Sequence, residues 1–155
     1  MVYIDIDIID ARETIDLNQI ASKFKNLSKE AGALVIYLGF VKGIVEGKKV
    51  RKLTYQIHEE YTRKKLREIV EDIASKYSEL KGIGIYHRKG ELEPGEDVVY
   101  IITTAISRDT AFKAAEEAID TVKHETGIWK LEIRENGNYW VLGEGKRIPS
   151  KRTQI

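Results

Sequence analysis

Apolar and polar positions alternate at the start of the chain, where Val2, Ile4, Ile6 and Ile8 are set against Tyr3, Asp5 and Asp7, the period of a half-buried strand. From Asp16 the period lengthens. Leu17, Ile20, Ala21, Phe24 and Leu27 fall on one helical face, and Asp16 followed by Gln19 has the form of an N-cap with a capping box. The run ALVIYLGFV over 33–41 is apolar and β-branched enough for a buried strand; Gly43 and Gly47 bracket a polar turn, and Leu53, Tyr55 and Ile57 alternate again. Over 59–78, Leu66, Ile69, Val70, Ile73 and Tyr77 predict a second amphipathic helix. A strand over GIGIYHRKG, a turn at EPGE (93–96) and a buried strand over DVVYIITTAI follow. Asp109 is placed to cap a third helix with the stripe Phe112, Ala115, Ile119 and Val122. After Gly127, IWKLEIRE reads as a strand, Asn136-Gly137 as a hairpin turn, and YWVL as the returning strand.

Helices interleaved with hairpins predict the α+β class: one domain over 1–142 with about three helices and a mixed or antiparallel sheet. The stretch GEGKRIPSKRTQI, 143–155, is expected as a basic, flexible C-terminal tail. At 155 residues and 42% hydrophobic, the chain is long enough for a core of its own. Its net charge of +1 supplies no global field that draws a protein onto nucleic acid or an anionic membrane, so anion recognition must be local. Without cysteine there is no disulfide, thiolate nucleophile or Cys-ligated metal. No apolar run approaches the ~18 residues of a membrane span, and the expectation is a soluble cytoplasmic protein.

The stretch TVKHETGIWKLE, 121–132, carries the candidate chemistry. Lys123 falls in the last turn of the third helix, at the edge of its stripe. Lys130 alternates with Trp129, Leu131 and Ile133 and so points away from the face they share. Two readings follow. Either both lysines are solvated, Lys123 complementing the helix C-terminus and Lys130 pairing with Glu132, or both converge on one pocket, where repulsion and burial free a neutral amine. Spacing leaves both open. Other motifs fail on particular residues. His58-Glu59 and His124-Glu125 lack the second histidine of a zinc-protease helix, having Thr62 and Ile128 there, and no metal site is expected. Gly145-Lys146 is followed by Arg147 where a phosphate loop needs Ser or Thr.

Taken in order, GALVIYLGFVKG (32–43), YHRKGELEPGE (86–96), SRDTAF (107–112) and DTVKHETGIWKLE (120–132) followed by NGNYW resemble the large, catalytic subunit of molybdopterin synthase. The resemblance implies an α/β-hammerhead-type subunit that dimerises. Each copy carries a small ubiquitin-like sulfur carrier, making a heterotetramer. The carrier's C-terminal Gly-Gly thiocarboxylate enters the large subunit's pocket, and sulfur passes to cyclic pyranopterin monophosphate to form the molybdopterin dithiolene. No cofactor is needed, because the sulfur arrives on the partner. Lys123 and Lys130 match the family's two functional lysines; of the two, we expect Lys123 as the acid/base or carrier-contacting group and Lys130 as the anion stabiliser. Lys42 stands where the family commonly has Arg, and Arg108 on the Arg of a His-Arg pair; both are candidates for phosphate or pterin. Ser107 replaces the usual His, so its contribution is limited to a hydrogen bond to an oxyanion. Gly127 replaces a usual Pro, which is expected to loosen the turn between the lysines. His87 and Arg88 complete the substrate-binding candidates, His87 being expected chiefly as a hydrogen-bonded strand residue. The alternative is a non-catalytic, carrier-binding scaffold of the same fold.

Overall fold

The computed structural model describes every residue except Glu125, Glu144 and 151–155. Its axis is β5 (Leu80–Leu92). Along one edge of β5, residues 80–87 pair with β6 (Asp97–Ala105), which pairs in turn with β2 (Ala33–Phe40), both antiparallel. The other edge is shared. Residues 82–89 run parallel to β1 (Tyr3–Asp10), and 90–92 run antiparallel to β4 (Lys48–Ile57). Beyond β4 lie β7 (Ile128–Arg134), β8 (Gly137–Val141) and β9 (Arg147–Pro149), with the short β3 (Ile44–Val45) also on β4. β5 thereby joins two sheets into one, and the only parallel pair among the described strands is β1–β5.

Alternation along β5 gives each face its own core. Ile83 and Ile85 join a large cluster with α2 (Glu59–Lys76) and α3 (Arg108–Val122), while Tyr86 packs with Tyr100, Ile102 and Phe24 of α1 (Leu17–Lys25) on the opposite face. Fully burying such a side chain is worth about 1.5–3 kcal/mol, so these two layers dominate the stability. The α+β class with three helices is therefore borne out. Turn chemistry follows the residues. Glu46 and Gly47 both take positive φ (52° and 75°), the twist that a two-residue hairpin between β3 and β4 requires, and Gly95, φ 88°, closes the EPGE turn.

Four expectations need correction. Phe112 does not face the sheet and is 62% exposed. The inward stripe of α3 is Ala111, Ala114, Ala115, Ala118 and Val122, and small side chains bring the helix close to the strands. The cap of α3 is Ser107, whose hydroxyl accepts from the Thr110 amide. Asp109 instead sits in the first turn, where its charge suits the helix dipole. The 33–41 strand is not buried but forms the outer edge of the sheet, half-exposed along its length. On β7 the side that alternation marks as apolar leaves Trp129 61% exposed, whereas Glu132 and Arg134 on the other side are buried. Within the stretch expected as a tail, Arg147–Pro149 form β9, and the stretch 151–155 lies outside the described residues.

Candidate active site

Four strands contribute one residue each to a common row. Tyr55 on β4 faces Lys130 on β7, Lys130 faces Val141 on β8, and Val141 faces Arg147 on β9. Directly opposed residues project to one side of a sheet, and all four line a pocket of about 490 Å³. His87, Lys42 and Lys123 reach the same pocket from other elements. His87 comes from β5, on the face that carries Ile83 and Ile85. Lys42 follows β2, held by its neighbours: the Val41 amide donates to Glu96 and its carbonyl accepts from Gly95, while the Gly43 carbonyl accepts from Val50. Lys123 is the C-cap of α3, where the carbonyl ends of the helix favour a cation. The convergent reading of the lysines is the one the geometry supports.

Burial sets the chemistry of two of these groups. Lys130 is pushed below the ordinary lysine value chiefly by desolvation; Glu132 opposes the shift, while Arg147, Lys42 and Lys123 add to it. Its Nζ stands 5.9 Å from the centre of the Tyr55 ring, and burial lifts the phenol of Tyr55 well above its usual range, so a neutral π-face lies under the amine. His87 is lowered from 6.5 to about 4 by burial, with Lys130 contributing. Its Nδ1 lies 2.7 Å from the Arg88 carbonyl. A carbonyl only accepts, so Nδ1 carries the proton and Nε2 of the neutral ring keeps its lone pair. The ring packs edge-on to Tyr55 with centroids 5.0 Å apart.

The turn between the two lysines is tied at several points. The Thr62 hydroxyl donates to the Thr126 carbonyl (2.5 Å), Thr126 donates to Val122, and the His58 amide donates to Gly127. Gly127 takes φ 73°, and a Cβ there would stand 2.7 Å from Tyr61 Cδ2. Proline, fixed near φ −65°, has no place in this conformation. The loosening expected from glycine is offset by these contacts, and the turn is pinned to the start of α2.

Three expected site residues stand elsewhere. Arg88 points to the face opposite His87, 2% exposed, where its guanidinium donates to the carbonyls of Asp97 and Ala11 and holds β5 to the chain after β1. Ser107 and Arg108 begin α3, whereas Lys123 ends it; across 15 residues that is about 22 Å. The Ser107 hydroxyl donates to Glu79 Oε1 at 2.7 Å, and a carboxylate there disfavours an oxyanion. Tyr55 and Arg147 were missed. Alternation alone placed Tyr55 toward the core, and the pairing that brings Arg147 back to Lys130 spans three strands. Among the described residues no cluster of His, Asp and Glu has metal-binding geometry.

The model of the MoaE protein family matches residues 11–125. The chain belongs to the MoaE family. The chain is similar to the molybdopterin synthase catalytic subunit of Pyrococcus abyssi, 34% identical over 125 residues, which cover 81% of this chain and 83% of the relative. An X-ray structure of molybdopterin synthase from Staphylococcus aureus superimposes with a TM-score of 0.76 at 31% identity, over 86% of this chain and 93% of that one. The fold also matches, at TM-score 0.67 and 19% identity over 95% and 90% of the two chains, a protein–protein complex of subunits 1 and 2 of molybdopterin-converting factor from Helicobacter pylori. Within the MoaE fold described here, Lys42, Lys123 and Lys130 meet in one pocket, and among the described residues no helix is long and apolar enough to cross a membrane.

Proposed function

We infer that this chain is the catalytic subunit of a molybdopterin synthase, moving sulfur from a thiocarboxylate-ended carrier tail to cyclic pyranopterin monophosphate. One observation carries this reading. Three lysines, a guanidinium and a neutral histidine converge on a pocket whose mouth is rimmed by exposed apolar side chains, Phe40, Trp129 and Leu142. Such a rim admits a slender, glycine-ended tail, and the cations inside hold an acyl thiolate and a phosphate together. Lys130, lowered by burial, is the group that moves protons. Lys123, exposed at the helix end, keeps the carrier-contacting role expected of it and steadies the incoming carboxyl group, while the acid/base role passes to Lys130. Lys42 binds phosphate as a point charge. His87 offers Nε2 as a hydrogen-bond acceptor to a donor on the pterin.

Arg88 is a structural residue in this reading. Ser107 and Arg108 act on a pocket only from a second copy of the chain, which fits the homodimer and the heterotetramer with two carriers. The work is done in the cytoplasm, and the sulfur arrives on the carrier, so no further cofactor is invoked. Mixing the protein with a thiocarboxylated carrier and the cyclic pterin tests the reading directly. Formation of molybdopterin is the expected result. Carrier binding without product overturns it in favour of a scaffold subunit.

A further inference from the structure

Glu132 is a buried carboxylate that the sulfur-transfer reading leaves without a task. Its side chain is 2% exposed and takes charge-assisted hydrogen bonds from two arginines. Arg134 Nε donates to Oε2 at 2.7 Å. Arg147 grips the carboxylate with both ends of its fork, Nε to Oε2 at 2.9 Å and Nη2 to Oε1 at 3.2 Å. The remaining terminal nitrogen of Arg147 donates to the Gly145 carbonyl at 2.7 Å. Burial works against the charge of Glu132, but the bonds from Arg147 and Arg134 outweigh it and hold the carboxyl below its ordinary range. An arrangement of this kind is costly to break on one side only.

The segment that Arg147 secures is a wall of the pocket. Val141, Leu142, Gly143, Gly145 and Arg147 all line it. The wall touches both lysines. At Gly143 a Cβ would stand 2.5 Å from the carbonyl oxygen of Lys123, so only glycine lets this backbone lie against the cap of α3. At the other end, Arg147 and Lys130 flank Val141 in the cross-strand row. We propose that Glu132 and Arg147 are positioning residues: their ion pair latches the C-terminal segment across the pocket so that Gly143 fixes the backbone of Lys123 and Arg147 stands beside Lys130.

The proposal rests on the pocket serving sulfur transfer, but its physical content does not need turnover. The groups facing Lys130 are Glu132 on its own strand, Arg147 on β9, Tyr55 on β4, His87 on β5, Lys42 after β2 and Lys123 at the end of α3. Removing Arg147 takes away a cation and frees Glu132, and both changes favour the ammonium form of Lys130. The substrate-free protein is therefore acylated with an activated ester at a series of pH values, and Lys130 modification is read by mass spectrometry. Amide exchange of Leu142 and Gly145, whose N–H groups bond Lys146 and Leu142, is followed in parallel.

In Arg147→Ala the Lys130 midpoint should rise by about one unit, cutting its labelling at fixed pH about tenfold, and both amides should exchange faster. Arg147→Lys keeps the charge but not the fork, so faster exchange with little change in labelling is expected. Gly143→Ala, which leaves the ion pair intact, should speed exchange and reduce the affinity for the carrier without moving the Lys130 midpoint. Wild-type exchange and wild-type labelling in Arg147→Ala overturn the proposal. If that variant does not fold, unchanged exchange in both Arg147→Lys and Gly143→Ala overturns it equally. The shifts appearing in a protein that makes no molybdopterin would instead overturn the enzyme reading and leave the latch standing.

Discussion

Lys123 and Lys130 lie seven positions apart in the chain and line one pocket, but they stand in opposite surroundings. Lys123 ends a helix, exposed, its backbone fixed by Ile119 and Thr121 and its side chain free to reach. Lys130 sits mid-strand in the second sheet, half-buried above Tyr55 and ringed by other cations. Burial makes an ammonium easier to deprotonate, and it acts on the strand residue. On the proposed function, the difference separates two jobs that one sequence motif merges: a cation to meet a partner's carboxyl group, and an amine to exchange protons. A helix end offers reach, and a sheet offers a fixed environment.

The largest effects should come from removing this division. Lys130→Ala is expected to slow single-turnover sulfur transfer by about 10²–10⁴-fold, the usual weight of a general acid or base. Lys123→Ala should cost about 10²–10³-fold, as loss of an oxyanion contact does, with carrier affinity reduced and the melting curve unchanged. The pH profile distinguishes them. The wild-type rate should rise with pH through a transition below the ordinary lysine value of 10.5, as the lowered pKa of Lys130 supplies free amine. Lys130→Arg, which stays charged, should lose that limb, and Lys123→Arg should keep it. A limb that survives in Lys130→Arg assigns the proton-moving role elsewhere.

How much of this was legible in the residues depends on distance along the chain. Strand alternation and helical stripes are local, and they placed Lys123 at a helix end and Lys130 opposite Leu131 without any structure. The face of β7 was misread because alternation says which residues share a side, not which side is covered. Here Lys130, Glu132 and Arg134 are enclosed by Arg147 and Tyr139, and only the docking of β8 and β9 decides that. Phe112 was misassigned for a related reason: a large apolar residue is the obvious candidate for a core, but the sheet beneath α3 takes alanines. Arg88 could have been separated from His87 by period alone, since adjacent strand residues face opposite ways. The separation of Ser107 from Lys123 follows from helix length once the cap is known.

His87 sharpens the contrast between the two faces of β5, because its neutrality is a stability statement. Its pKa falls from 6.5 to about 4 on folding. Above pH 6.5 the ring is neutral in both states and costs nothing. Between pH 6.5 and 4 the unfolded chain binds a proton that the native ring refuses, so stability drains away as pH falls, and the loss is complete below about 4. The loss amounts to about 3 kcal/mol at roughly 1.4 kcal/mol per unit. Urea titrations at pH 7 and pH 4.5 should show His87→Gln losing less stability on acidification than the wild type. Parallel loss in both proteins would place the acid sensitivity in other groups.

The smallest expected effects lie at the far end of α3, and they test whether one chain's pocket is complete. Ser107→Ala removes the N-cap and its bond to Glu79, so the melting point should fall in step with about 1 kcal/mol. Binding of the cyclic pterin to the monomer should not change, because the hydroxyl is directed at a carboxylate about a helix length from the lysines. Arg108→Ala removes an exposed side chain and should leave the melt within about 0.5 kcal/mol. If two chains share each pocket, it should weaken pterin binding by about tenfold, and only at protein concentrations where the dimer forms. Titrating the pterin at concentrations above and below the dimer midpoint, set by analytical ultracentrifugation, separates the outcomes. Loss of binding in Arg108→Ala at both concentrations would mean that α3 reaches the pocket within its own chain, against the separation of its two ends, whereas loss confined to the dimer would make Arg108 a residue lent across the interface.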